Sequence, residues 1–87
     1  MTDNRLAVVT GGSAGIGLTI VRALLDQDIA DEVVVWDLRP DPDEPLLAGL
    51  TQTACDVTDE DSVRAAYAEL GRAPQILVNN AGGDPAP

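Results

Sequence analysis

The 87-residue sequence has no lysine, no histidine and no phenylalanine, and only one cysteine, one tryptophan and one tyrosine. Each absence closes off a class of chemistry. With no histidine to activate it, Cys55 reads as a small buried residue and not a nucleophile. A single cysteine forms no intrachain disulfide, which fits a reducing cytoplasm as the expected compartment. All five basic residues are arginines (Arg5, Arg22, Arg39, Arg64 and Arg72), set against fifteen acids for a net charge of −10. Such a chain repels phosphate backbones and lacks a polybasic anchor, so neither nucleic acid nor a membrane surface is an expected partner. The acidity is read as a solubility feature. No apolar stretch approaches the roughly 18 residues of a spanning helix. The N-terminus carries Asp3 and Arg5, and its short apolar run stops at Gly11 and Gly12, unlike a signal peptide.

With aromatics at 2% and hydrophobic residues at 45%, the core must be built of Val, Leu, Ile and Ala. That composition suits a buried parallel sheet covered by helices. The length allows one domain at most, with a marginal core, because a chain of this size buries only about 60 to 65% of its unfolded surface.

Leu6-Ala7-Val8-Val9 reads as a buried strand stopped by glycines. From Ile16 the period becomes helical, with Ile16, Ile20, Ala23 and Leu24 expected on the core side and Arg22 and Asp26 opposite, fading near Gln27. Glu32 to Trp36 is a second buried strand closed by Asp37. Pro40, Pro42 and Pro45 then break regular structure. A short helical turn over Leu46 to Leu50 and a third strand over Thr51 to Cys55 are expected next. Thr58 with Asp61 resembles a capping pair. It opens a helix carrying Val63, Ala66, Tyr67 and Leu70, which Gly71 and Pro74 stop. Gln75 to Val78 is a fourth strand, and Asn79 to Pro87 reads as loop. The order β-α-β-(α)-β-α-β implies an α/β fold: a Rossmann-type doubly wound parallel sheet with right-handed crossovers.

The segment Thr10-Gly11-Gly12-Ser13-Ala14-Gly15-Ile16-Gly17 lies between strand one and helix one. There the helix N-terminus offers unpaired N–H groups and a partial positive charge to a pyrophosphate, and glycines admit the close approach. Gly12 to Thr19 almost spells the phosphate loop of a nucleoside triphosphatase, but Leu18 stands where that loop needs its lysine. A methyltransferase, which uses a similar turn, stays open. Asp37 lies 20 residues after Gly17, where a carboxylate can accept hydrogen bonds from both adenosine ribose hydroxyls. It would repel a 2′-phosphate. Ala14 offers that phosphate no charge, so NAD is favoured over NADP. Arg39 is the one dissenting residue.

These motifs resemble the short-chain dehydrogenase/reductase family from Leu6 to Gly82. Thr10-Gly11-x-x-x-Gly15-Ile16-Gly17 matches the family's coenzyme turn. Cys55-Asp56-Val57-Thr58-Asp59 resembles its segment after strand three, and Asn79-Asn80-Ala81-Gly82 its motif after strand four. The resemblance implies cofactor contacts from Gly11, Ser13, Gly15, Ile16, Gly17, Asp37, Asp56, Val57, Asn80, Ala81 and Gly82. It puts Asp56 at the adenine amino group and uses an Asn side chain to steady the sheet.

The family's catalytic Ser and Tyr-x-x-x-Lys cannot be placed on this chain. Tyr67 is followed four residues later by Gly71, and Ser13 and Ser62 are the only serines. No catalytic and no metal-binding residue is therefore assigned. The expectation is that residues 1–87 are the N-terminal portion of a single NAD-binding domain. The intact enzyme would move hydride between NAD and an alcohol or carbonyl substrate and would act as a homo-oligomer. A stand-alone NAD-binding module and a methyltransferase fragment are the alternatives.

Overall fold

The computed structural model describes residues 4–11, 15–40 and 47–80. Four strands form one parallel sheet: β1 (Leu6–Thr10), β2 (Glu32–Asp37), β3 (Leu50–Ala54) and β4 (Ile76–Asn79), in the order β3-β2-β1-β4. Two helices, α1 (Gly15–Asp26) and α2 (Glu60–Leu70), supply crossovers. In register, Val8 faces Val34 on one side and Leu77 on the other, and Val34 faces Thr51. The connections place β1 at the centre, with β2 and β3 on one side and β4 on the other, as in the Rossmann-type α/β arrangement.

Every residue of β1 is buried, because both faces of the sheet are covered. Strand periodicity then divides the core in two. Ala7, Val9, Val33 and Val35 pack with Val21, Leu24 and Ala30 on the α1 side. Val8, Trp36, Cys55 and Ala66 pack together on the α2 side, with Val34, Val63 and Leu70 against them. Each fully buried valine contributes roughly 1.5 to 3 kcal/mol of apolar burial. The α2 side is thinner, and Leu77 stays 65% exposed on it.

Several local expectations shift. In α1 the buried positions are Gly17, Val21 and Leu24, while Ile16 is 75% exposed. A glycine at position 17 lets the helix lie close to the sheet, which rotates Ile16 outward. The expected helical turn before β3 is, among the described residues, a turn closed by Leu50 N–H on the Leu47 carbonyl at 3.1 Å. Leu50 is already strand, and β3 ends at Ala54, leaving Cys55 in the following loop. That turn needs Gly49, at φ +89: a Cβ there would lie 2.9 Å from the Asp31 carbonyl oxygen. The N-cap of α2 is Asp59, whose carboxylate accepts the Asp61 N–H at 3.1 Å; Thr58 is not the cap. Glu60 and Asp61 in the first turn suit the helix dipole. Gly71 ends α2 in the left-handed conformation, as its position suggested. Asn79 belongs to β4 and not to a loop. Among the described residues no helix is long and apolar enough to cross a membrane.

Candidate functional site

The carboxyl ends of β1, β2 and β3 border a cavity of about 330 Å³, lined by Gly11, Trp36, Asp37, Leu38, Cys55, Asp56, Val57 and Thr58. This is the crevice where open parallel sheets bind ligands, and its size is at the lower end of small-molecule sites. Backbone bonds hold its rim: Gly11 N–H donates to the Trp36 carbonyl at 2.8 Å, and Cys55 N–H to the Asp37 carbonyl at 2.9 Å. Two exposed apolar side chains, Leu38 and Val57, belong to the lining and offer contact to a flat ring. The buried Trp36 forms part of the wall, and its indole Nε1 has no hydrogen-bond partner among the described residues.

Two carboxylates stand on this cavity and no basic residue lines it among the described residues. Asp37, half-buried at the end of β2, accepts the Arg39 N–H on Oδ1 at 3.2 Å. That bond orients the carboxylate and leaves Oδ2 for a ligand. Asp56 Oδ1 accepts both the Thr58 hydroxyl at 2.6 Å and the Thr58 N–H at 2.9 Å. The Thr58 hydroxyl first, then its N–H, hold the Asp56 carboxyl below its ordinary value, with slight desolvation opposing them. Asp56 is thus an acceptor at neutral pH. Such a cavity suits a ligand that presents hydroxyl and amino donors and keeps its phosphates elsewhere.

The N-terminus of helix α1 offers a place for an anion. Gly15 opens it at φ +62, and a Cβ there would meet nothing within 4 Å. The space is open for a ligand to reach the backbone. Ile16 projects to solvent beside it, whereas Gly17 is buried against the sheet and acts through packing.

Asn80 stands apart from the cavity lining. Its Nδ2 donates to the Gly11 carbonyl at 3.0 Å, and its N–H to Thr10 Oγ1 at 2.9 Å. Thr10, 4% exposed, in turn places its hydroxyl 3.2 Å from Asn79 Oδ1 and 3.5 Å from the Val78 carbonyl. The ends of β1 and β4 are clamped together, which steadies the start of the glycine turn. Ser13, Ala81 and Gly82 lie outside the described residues. The structure therefore brings Gly11, Asp37, Asp56 and Val57 together on one cavity, Gly15 and Ile16 to the helix end, and Asn80 to the sheet clamp. Among the described residues no cluster of three or more metal-ligating side chains forms.

Sequence reasoning gave no site role to Trp36 or Leu38, quoted Thr10 and Thr58 only within motifs, and took Ser62 only as a serine that fits no catalytic pattern. Signals existed for two of them. Thr10 is the polar residue that ends an apolar strand just before a glycine, and Leu38 is an apolar residue directly after the strand-closing acid.

Residues 5–87 match the sequence pattern of the short chain dehydrogenase family. The chain is 39% identical over 90 residues to L-fucose dehydrogenase of Bos taurus, covering 95% of this chain and 32% of that protein. Two solved structures share the fold. A short chain dehydrogenase family protein from Francisella tularensis superposes with a TM-score of 0.73 at 24% identity, over 90% of this chain and 31% of that one. A short chain dehydrogenase from Leptospira borgpetersenii with bound NAD+ superposes with a TM-score of 0.70 at 23% identity, over 87% and 30%. The chain thus spans about a third of the length of these relatives. With strand order, glycine turn and strand-end acids in agreement with that match, this chain belongs to the short chain dehydrogenase family.

Proposed function

We propose that this chain is the nucleotide-binding part of an NAD-dependent dehydrogenase that exchanges hydride between an alcohol and the corresponding carbonyl. The observation that carries the proposal is the meeting of Gly11, Asp37, Asp56 and Val57 on one cavity beside an open helix N-terminus. Family membership makes an oxidoreductase the activity to expect and sets aside the methyltransferase alternative. When bound, NAD supplies the hydride-accepting ring and its reduced form the hydride.

The work of this chain is to hold and orient. Asp37 Oδ2 accepts the adenosine ribose hydroxyls, Asp56 accepts the adenine amino group, and Leu38 and Val57 contact the base. The N–H groups at the start of α1, reached over Gly15, take the pyrophosphate. The Asn80–Gly11 and Asn80–Thr10 bonds hold the end of β1 and Gly11 against the end of β4. Ser13, Ala81 and Gly82 complete the proposed contacts. NAD is preferred over NADP because an anionic Asp37 opposes a 2′-phosphate. Proton transfer and substrate recognition belong to residues outside this chain. A homo-oligomeric enzyme in the cytoplasm, acting on a small alcohol or carbonyl compound, completes the proposal.

The test uses Trp36, the single tryptophan and part of the cavity wall. Its emission is followed while NAD, NADP and nicotinamide mononucleotide are titrated into a full-length protein carrying this chain. Saturable change at lower concentration for NAD than for NADP is expected. A protein that binds none of them, or prefers NADP, refutes the reading.

A further inference from the structure

Ser62 occupies the third position of α2, and it does not do what a side chain there usually does. In a capping box the third helical residue reaches back to the N-cap N–H. Here the N-cap is Asp59, and its N–H goes instead to the Asp56 carbonyl at 3.0 Å. The Ser62 hydroxyl reaches three residues further, to the backbone N–H of Asp56, and accepts it at 2.9 Å. The Ser62 carbonyl also faces the Cys55 thiol at 3.8 Å. Asp56 is thereby held at three separate points. Its N–H is bound by Ser62, its carbonyl by Asp59, and its carboxylate by Thr58.

The consequence is geometric. β3 is an edge strand, so the chain leaving it has no neighbour on its outer side to direct it. The Ser62 bond ties that departure to the rigid first turn of α2. Between the two anchors lie Asp56 and Val57, both on the cavity. With the bond in place, the Asp56 carboxylate and the Val57 side chain present one edge to a bound base. Without it, the turn keeps its Thr58 bond and its Asp59 cap on α2, but the Asp56 N–H loses its partner on the helix, so Asp56 and Val57 are held from one side fewer.

We infer that Ser62 is a positioning residue for recognition of the base: it touches no ligand, and it sets the place of Asp56 and Val57 through the Asp56 N–H. The inference rests on the nucleotide reading of the cavity and deepens it. It requires that loss of the Ser62 hydroxyl weakens ligands that carry adenine and spares those that do not.

The experiment compares wild type, Ser62→Ala and Ser62→Thr in a full-length protein carrying this chain, by calorimetric titration with AMP, NAD and nicotinamide mononucleotide. One lost hydrogen bond predicts about a five- to tenfold rise in Kd for AMP and NAD in Ser62→Ala. The nicotinamide mononucleotide Kd should stay within about twofold of wild type, and Ser62→Thr, which keeps the hydroxyl, should restore AMP binding. Amide exchange on the wild-type protein gives a second readout. Protection of the Asp56 N–H should rise on adding AMP and not on adding nicotinamide mononucleotide. Equal losses for all three ligands, or a lower Tm with AMP binding unchanged, would show a purely structural role and overturn the inference. A wild-type protein that binds neither AMP nor NAD would overturn the nucleotide reading itself, and the role of Ser62 with it.

Discussion

Replacing Asp37 separates two contributions to cofactor choice that the wild-type protein combines. The carboxylate is half-buried at the cavity rim, with Oδ1 held by the Arg39 N–H. A 2′-phosphate would place about two negative charges at roughly 5 Å from it. The repulsion is about 2 kcal/mol at the dielectric constant of water and about 7 kcal/mol at an effective value of 20. Salt screening at an open rim favours the lower figure. Asp37→Asn keeps an acceptor for a ribose hydroxyl and removes the charge. It should therefore change the NAD to NADP ratio of kcat/KM by about 30-fold, mostly by improving NADP. Asp37→Ala also removes the ribose hydrogen bonds, about 1.5 to 3 kcal/mol for bonds to a charged group. Its ratio should change by about 400- to 5,000-fold, the extra part coming from poorer use of NAD. Steady-state kinetics of the full-length enzyme with both cofactors at low and high salt measures each part. Ratios that stay within twofold of wild type in both variants would refute the placement of the ribose against Asp37.

Other consequences of the structure are as direct. Gly49→Ala combines a left-handed backbone with a Cβ 2.9 Å from the Asp31 carbonyl oxygen and 3.3 Å from Leu25 Cδ2, and should cost about 2 to 4 kcal/mol. Gly71→Ala, at φ +73 with open space around its Cβ, should cost only about 1 to 2 kcal/mol. Urea unfolding of the two variants compares them, and equal losses would contradict the Asp31 contact. The Asp56 carboxyl is held low in the folded state, so it contributes stability above its unfolded value that is lost as pH falls through the folded one. Thr58→Ala should move Asp56 back toward the ordinary carboxylate range and flatten the acid limb of stability, as read by carboxyl-carbon NMR titration; an unmoved titration would refute the Thr58 cause. The isolated 87-residue chain should associate, because Leu77 is 65% exposed on a strand that has one sheet neighbour among the described residues, and should show no hydride transfer, because it has no lysine and only Tyr67 as tyrosine. Sedimentation equilibrium showing a monomer with cooperative unfolding would contradict this and favour a stand-alone binding module.

What could be read from the sequence was what local pattern controls. The valine-rich runs of β1 and β2 have no polar alternation because both their faces are covered, so they announced a parallel sheet. Asp37 was legible because it ends such a run at a set distance from the glycine turn. The errors come from contacts that spacing alone does not show, some with distant parts of the sheet and some between near neighbours in the chain. Ile16 fits a helical stripe beginning at its own position, but close packing of Gly17 on the sheet turns it to solvent. Thr58 resembles a cap by spacing alone, yet the Asp56 carboxylate claims it and leaves the cap to Asp59. Ser62 looks like an ordinary first-turn residue until the end of β3 is brought against it. Trp36 is an apolar strand residue in the sequence, and only the neighbouring strands make it a cavity wall.

The all-parallel sheet also orders the assembly of the molecule in time. Val8 meets Val34 across 26 residues and Leu77 across 69. Closing the longer loop costs about 0.9 kcal/mol more in chain entropy if β4 must pair with a free β1. Every described residue that lines the cavity, and Ser62 behind it, precedes Leu70 in the chain. A polypeptide emerging from the ribosome can therefore assemble β1, β2, β3 and α2, with the residues that line the cavity, before β4 exists. The Thr10–Asn80 bond, which needs the end of β4, forms only after that strand has been made. If the proposed nucleotide reading holds, a nucleotide present during synthesis would meet the cavity before the sheet is finished, and binding at that stage would favour the native pairing of β1 with β2 over competing ones.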